Sequence, residues 1–415
     1  MKKMRKNVYL CCGYNTVSLG TGRPEFHPKK PRPGIEHYVQ EAGRKVLAQI
    51  PSADLVDECV IGNFMAARFC RQGHLAGLMA SIDPALLYKP STRTEGACCS
   101  GGLALYTAIK SILAETADVV LTLGVEVQNS MKAIYGADVL AGAGWYAGDR
   151  KKGHAYFFPN QFSIRSGVCY EKYGYDKVRR GMAHWFANAI TNARRCPTAQ
   201  EHHNKVEDLV ELGMTPPNPK VFCEHISVFD CSKVSDAGSG LITCSEEGLK
   251  KLGIPKEQAV LVEGVGQTEA DLCAPPPDQT ALTNMAKSVA AAYEMAGVGP
   301  QDLAFGEVHD CFSINGLLAC EAMQLVKQGE AADFVAEGNV RHDGTIPLNT
   351  SGGLIGWGHP TGGTGVRQAV DMVLQLTGQA GTFQVEVKPE RPHGLLINMG
   401  GNDITVTTLI ARRAE

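Results

Sequence analysis

Hydrophobic positions along this chain follow two alternating periods. Val8 to Cys12, Val56 to Ile61 and the nearly continuous apolar run from Asp118 to Gly124 read as strands, the last one buried on both faces. Between them the spacing predicts a helix over 36–49 and another helical stretch ahead of Pro90. After Gly101 and Gly102, the residues Leu105, Ala108, Ile109, Ile112 and Leu113 recur on one face of a further helix. Strands alternating with helices predict an α/β fold with a mostly parallel sheet covered on both sides.

From about 130 to 225 the period weakens, and Tyr, Trp, Phe, Arg, Lys and His become frequent, as in an insertion that covers a site. Within it a helix is expected over 176–195, with Val178, Met182, Trp185, Phe186, Ala189 and Ile190 along one side. Its end, Arg194-Arg195, suits a helix C-terminus. The aromatics Trp145, Tyr146, Tyr156, Phe157, Phe158 and Phe162 are compatible with a pocket for a ring, a dimer contact or a packed loop. Arg150, Lys151 and Lys152 are compatible with a phosphate-bearing ligand or with a solvated loop.

Strand patterning returns at 240–244 and 259–265, and Pro275-Pro-Pro277 marks a joint. Asp278 is positioned to cap a helix carrying Leu282, Met285, Ala286, Val289, Tyr293 and Ala296. A strand over 303–308 delivers His309-Asp-Cys-Phe312 at its end, where open α/β sheets place their chemistry. The turn Gly358-His-Pro-Thr-Gly-Gly-Thr-Gly365 opens a last helix, and strands over 395–399 and 404–410 close the chain. Both halves thus run strand, helix, strand, then a glycine-flanked reactive residue ahead of a helix.

Composition narrows the function. With 415 residues and 44% hydrophobic content the chain can form two domains or one duplicated unit. A net charge of -3 without a concentrated basic face speaks against nucleic acid as partner. No apolar run approaches the ~20 residues of a membrane span, and the basic start Met1 to Lys6 is followed by too short an apolar run for a signal peptide. The 14 cysteines contain no Cys-x-x-Cys pair, which argues for a reducing compartment and against a disulfide framework or a structural zinc. The terminus Ala411 to Glu415 carries no peroxisomal tripeptide, so the cytoplasm is the expected location.

Three distant segments carry reactive side chains: Cys98 at a helix start, His309 and Cys311 at a strand end, and His359 in a glycine-rich turn. Alone, each is as compatible with a core thiol or a turn histidine. Together they supply a nucleophile, a base and a second thiol for moving a proton at carbon. The helix start beside Cys98 is expected to lower its thiol pKa.

The set resembles the thiolase superfamily, and within it the sterol-carrier-protein-type and archaeal-type thiolases. The matching stretches are Glu95-Gly-Ala-Cys98-Cys-Ser-Gly-Gly102, Gly124-Val-Glu126, Ser235-Asp236-Ala-Gly238, His309-Asp-Cys-Phe312 and Gly358-His-Pro360. The resemblance implies a duplicated five-layered αβαβα fold. Residues 1–129 and 236–272 would form the N-terminal half, 130–235 a loop domain over coenzyme A, and 273–415 the C-terminal half. It implies Cys98 as the acylated nucleophile and His359 as its base. His359, with a water held by His309, would stabilise a thioester oxygen, and the main-chain N–H groups of Cys98 and Gly400 would form a second oxyanion hole. Coenzyme A enters as co-substrate, with no permanently bound cofactor and no metal.

One departure stands out. Where degradative thiolases carry a second catalytic cysteine in Cys-x-Gly, this chain reads Asn398-Met399-Gly400. The resemblance to relatives with His-Asp-Cys-Phe implies that Cys311 moves the α-carbon proton instead. Thiolases of this kind also imply a homodimeric core and a small zinc-ribbon and OB-fold partner protein. The implied reaction is cleavage of a 3-oxoacyl-CoA by coenzyme A. Benzoylsuccinyl-CoA is suggested by the aromatic insertion and the Asn-Met-Gly segment. Acetoacetyl-CoA formation and a non-catalytic acyl-CoA or lipid carrier stand as the alternatives.

Overall fold

A computed structural model describes residues 3–150 and 153–415, so Lys151 and Lys152 lie outside the described residues. The strands are β1 (Val8–Asn15), β2 (Glu58–Gly62), β3 (Ser91–Thr94), β4 (Val119–Val127), β5 (Asp236–Ser245), β6 (Val260–Glu269), β7 (Leu303–Glu307), β8 (His393–Gly400) and β9 (Thr405–Arg413). They form one sheet in the order β3-β2-β4-β5-β1-β6-β9-β8-β7. The order is two similar blocks back to back, β2-β4-β5-β1 and β7-β8-β9-β6, meeting where Tyr9 and Leu10 of β1 pair with Leu261 and Val260 of β6. β6 pairs along its length with β9 and, through Val260 and Leu261, with β1.

The sheet is not mostly parallel, as the alternation of elements suggested. Only β2 with β3, β2 with β4, and β7 with β8 are parallel, and the other neighbours run antiparallel. The tight turn between β8 and β9 reverses the chain directly, and the long insertion between β4 and β5 brings it back in the opposite direction instead of through a single right-handed crossover helix.

The helices Ser100–Leu113 and Thr364–Leu376 pack on each other between the two blocks. Their apolar faces, Ala104, Leu105, Ala108 and Ile109 on one and Val366, Ala369, Val370 and Val373 on the other, share one core with Leu10, Val60, Leu396 and Leu409 of the sheet. The helix Ile35–Leu47 covers the outside of the first block through Tyr38, Val39 and Val46, and Thr283–Ala296 covers the second through Met285, Val289 and Ala292. Outer helix, sheet, central helices, sheet and outer helix make five layers. Ahead of Pro90 the expected helix is replaced by short pieces, a single turn at Ala66–Phe69 and 3₁₀ turns at Leu75–Ser81 and Pro84–Leu86. His74-Leu75 and Asp83-Pro84 break the run: His74 takes φ +54 and Pro84 offers no N–H.

Asp278 does not cap the following helix. Its carboxylate instead accepts from the N–H and hydroxyl of Thr280, both at 2.7 Å, in a local turn. The cap comes from the far end of the chain: Asp403 accepts the N–H of Asn284 at 2.8 Å and of Met285 at 2.9 Å.

The insertion holds two long helices, Phe157–Tyr173 and Tyr175–Arg195. The second turns Val178, Met182, Trp185, Phe186, Ala189 and Ile190 into the core of the C-terminal block, beside Leu317, Leu318 and Leu354. Arg179 and Asp230, both fully buried, pair at 2.8 Å across this packing, and Ser313 donates to the other oxygen of Asp230 at 2.6 Å.

Candidate active site

Four predicted residues come together at the ends of the two central helices. Cys98 lies in a 3₁₀ turn, Ala97–Cys99, that runs directly into the helix Ser100–Leu113. Ala97 takes φ +54, and the Ala97 N–H is held at 2.7 Å by Glu95. His309 and Cys311 follow β7, and His359 lies shortly before the helix that begins at Thr364. One donor atom each of Cys98, His309 and His359 lie within 4.8 Å of one another, and the two imidazoles meet edge to face at 5.1 Å.

The hydrogen bonds assign each ring a role. His359 Nδ1 lies 2.7 Å from Thr364 Oγ1, whose hydroxyl has Pro360 O as acceptor at 3.2 Å. With that proton directed at Pro360, His359 Nδ1 donates and Nε2 carries the lone pair. Nε2 is buried without a protein partner, as a base needs. The His359 backbone is fixed by its N–H on Ser235 Oγ at 3.0 Å and by Gln128 donating to its carbonyl at 2.7 Å. Gln128 is in turn held by Asp236, which accepts the Gln128 N–H at 2.6 Å. This is the use of the Ser235-Asp236 stretch.

Asn398, unassigned by the sequence, ties the site together. Its side-chain NH₂ donates to Cys98 O and to His309 Nδ1, both at 3.1 Å, while its oxygen accepts Gly102 N–H at 3.0 Å. His309 Nδ1 is therefore an acceptor, and the proton sits on Nε2. The signal was present in the sequence: Asn398 occupies the place of the missing cysteine.

Burial dominates the electrostatics. Loss of hydration, with Arg367 nearby, holds His359 down to about 3, so it is neutral at physiological pH. Burial, His359 and Arg367 hold His309 well below its usual range. The Cys98 thiol is pushed up to about 12, by burial first and then by Glu126 and Cys99. This reverses the expectation of a lowered pKa: the N–H groups of Gly401 and Cys98 itself pull it down, but desolvation is larger. Gly401, the residue after Gly400, lines the same cavity as Cys98. The Cys311 thiol is raised well above its usual value by burial, Cys98 and Asp310. Asn315 donates to its sulfur at 3.5 Å. Glu126 lies beneath the site, its carboxylate accepting from Asn63, Phe64 N, Met65 N, Thr361 and Gly362 N at 2.9–3.2 Å.

Above these residues opens a cavity of about 370 Å³ that includes Cys98, His309, Cys311, His359 and Gly401. Phe69, Tyr156, Phe158, Phe162, Phe222 and Phe312 contribute aromatic wall beside aliphatic residues such as Met131, Leu140 and Val228. Phe162 stacks on Phe312 at 4.4 Å with 21° between the planes. Of the six aromatics singled out in the insertion, Tyr156, Phe158 and Phe162 line this cavity, Phe157 is buried beside Phe158, and Trp145 and Tyr146 are exposed. Arg150 pairs with Asp138 at 3.0 Å. No helix among the described residues is long and apolar enough to cross a membrane.

A family model described as "Thiolase C-terminal domain-like" matches residues 267–413. The acetyl-CoA acetyltransferase of Methanothermobacter thermautotrophicus is 32% identical over 380 residues, covering 90% of this chain and 94% of that protein. Benzoylsuccinyl-CoA thiolase subunit BbsB of Thauera aromatica is 28% identical over 305 residues, 72% of this chain and 74% of its own. Among solved structures, an Ltp2-ChsH2(DUF35) aldolase superposes with a TM-score of 0.77 at 19% identity, over 98% of both chains.

Proposed function

Because the chain belongs to the thiolase family of acyltransferases, we propose that it cleaves, or in reverse forms, a 3-oxoacyl-CoA through an acyl-enzyme on Cys98. The convergence of Cys98, His309 and His359 within 4.8 Å at the floor of a partly aromatic cavity carries this reading.

In the cleavage direction His359 Nε2 takes the Cys98 proton as sulfur attacks the 3-oxo carbon. A thiol held up to about 12 is neutral at rest, so nucleophile and base act as one step. The bond between the α and β carbons breaks, and its electron pair becomes the enolate of the departing acyl-CoA. Protonated His359 and the Nε2–H of His309 donate to the enolate oxygen, directly or through a water. Donors of this kind are commonly worth about 3–4 kcal/mol. Cys311, kept protonated by its surroundings, supplies the proton to the α carbon. Protonated His359 then returns its proton to the Cys311 thiolate, and the freed Nε2 takes the proton of coenzyme A as its sulfur attacks the acyl group; Cys98 leaves as thiolate and receives that proton back from His359. The main-chain N–H groups of Cys98 and Gly400 are the donors assigned to the carbonyl oxygen of the acyl-enzyme.

For the acyl group we propose an aromatic one, with benzoylsuccinyl-CoA as substrate, supported by the cavity walls and by the likeness to BbsB. Acetoacetyl-CoA formation is the second reading, favoured by the name of the archaeal relative. A dimeric core with a small partner protein fits the subunit in one relative's name and the DUF35 component in the structural neighbour's.

The test is the intact mass of the protein after brief exposure to benzoylsuccinyl-CoA and, separately, to acetoacetyl-CoA, with the adduct mapped. A benzoyl group on Cys98, absent in Cys98→Ala, is expected. An acetyl group alone would favour the second reading. No adduct from either, with the partner protein present, would overturn both.

A further inference from the structure

We propose that Gln368 is a positioning residue: by joining the ends of β7 and β8 it sets the His309–Asn398 pair against His359. The inference rests on the reading of His309 as a donor to the enolate oxygen.

The two strands run parallel and pair as far as Glu307 and Leu396, where the ladder stops. Glu307 stands two residues before His309, and Ile397 one residue before Asn398. Past the ladder the Val308 N–H is taken by Asn349 Oδ1 at 2.7 Å and not by β8. The carbonyls on either side are met by one side chain: Gln368 Nε2 donates to Glu307 O at 3.3 Å and to Ile397 O at 3.0 Å. An amide NH₂ has two protons, one for each strand. Where the main chains part to carry His309 and Asn398, Gln368 therefore fixes the distance between them.

Gln368 lies on the helix Thr364–Leu376, one turn after Thr364 and on the same face. Thr364 Oγ1 lies 2.7 Å from His359 Nδ1, and the Asn398 NH₂ donates to His309 Nδ1 at 3.1 Å. A single turn of helix thus holds His359 directly and His309 through two strand ends, and the rings meet at 5.1 Å. Arg367, the preceding residue, donates to the Glu307 carboxylate at 2.9 Å, which places β7 alone, whereas Gln368 reaches both strands.

Packing accounts less well for this side chain. Gln368 is fully buried, and its Oε1 has no hydrogen-bond partner among the described residues. A buried amide oxygen left unpaired carries a desolvation cost, and the bonds that offset it all lie at the donor end. A flipped amide would turn its oxygen on two carbonyls. The neighbouring Val366, Ala369, Val370 and Val373 fill the core around this helix with apolar groups.

The experiment compares Gln368→Met, similar in shape and lacking the donors, with the wild-type full chain. Nitrogen NMR of histidine-labelled protein at neutral pH, with His309→Asn for assignment, reads the ring nitrogens. The His309 Nδ1 signal should move, because its bond from Asn398 loosens, while the His359 signals stay. Exchange of the α protons of acetyl-CoA with deuterated solvent should slow about 10–100-fold, and kcat with it, while KM stays within about threefold. Alkylation of Cys98 by iodoacetamide, which forms no enolate, should stay within about twofold of wild type. An unmoved His309 signal with exchange at the wild-type rate overturns the proposal, and a lowered melting temperature beside them would assign Gln368 to folding alone. Equal loss of alkylation and exchange, in Gln368→Met and in Gln368→Glu, would also overturn it, since the residue would then support the whole site and not His309. The ring signal and the alkylation need no acyl-CoA: a wild-type chain that is neither acylated nor exchanging overturns the reading of function, and the ring signal then decides the role of Gln368.

Discussion

At the scale of single residues, the site combines neutral groups. Cys98, Cys311, His309 and His359 are all held toward their uncharged forms by burial, so the resting site avoids a desolvated charge and creates one only during reaction. The division of labour between the two thiols is testable. Cys311→Ala should retain the acyl adduct on Cys98 but lose exchange of the α protons of acetyl-CoA with deuterated solvent, by about 10²–10⁴-fold. Exchange at the wild-type rate, read by mass spectrometry, would remove Cys311 from the reaction. Asn398 meets the same logic from the other side: an amide cannot replace a thiol in proton transfer, but it fixes the His309 tautomer and joins the two halves.

At the scale of elements, the central helices determine how closely Cys98 and His359 approach. The helix Ser100–Leu113 crosses Thr364–Leu376 at glycines on both sides. A Cβ at Gly101 would lie 2.8 Å from Gly365 N and 3.0 Å from Gly362 O, and one at Gly365 2.2 Å from Gly102 N. The contact is backbone on backbone, which cannot yield as a side chain does. Gly101→Ala should therefore push the helices apart. The expected cost is about 1–3 kcal/mol of stability in denaturant unfolding, together with a loss of activity larger than stability alone explains. Wild-type stability in this variant would mean that the crossing has slack.

At the scale of the whole molecule, Asp310 joins the inserted region to the C-terminal block. Its carboxylate accepts the Trp185 indole N–H at 3.0 Å from the insertion and the Leu354 N–H at 2.7 Å from the C-terminal block. Burial raises it to about 6. A carboxyl raised in the folded state stabilises fully below its unfolded value near 4, and that contribution is lost as pH rises toward 6. Relative to Asp310→Asn, wild-type stability should therefore fall between pH 4 and pH 7 by about 3 kcal/mol, measured by urea unfolding at each pH. A pH-independent difference would show that Asp310 is ionised throughout.

Much of this was legible in the chain. Local pattern gave the central helices, the apolar strands and the helix ending at Arg194-Arg195, because periodicity reports which face is buried. The residues Cys98, His309, Cys311 and His359 were legible as a set, because a helix start, a strand end and a glycine-rich turn carry them in the order of the thiolase motifs. Their meeting within 4.8 Å was not, since it depends on two helices crossing some 260 residues apart in sequence. Strand direction was decided by the insertion and by a tight turn, not by any strand's own pattern. The cap from Asp403 rather than Asp278 needed the fold to bring residue 403 to residue 284. The Cys98 thiol went up rather than down because a helix start is a local feature, whereas desolvation sums every atom the tertiary structure packs around the sulfur. Sequence determined which groups are available for chemistry, and tertiary structure decided their partners, their protonation and the shape of the space above them.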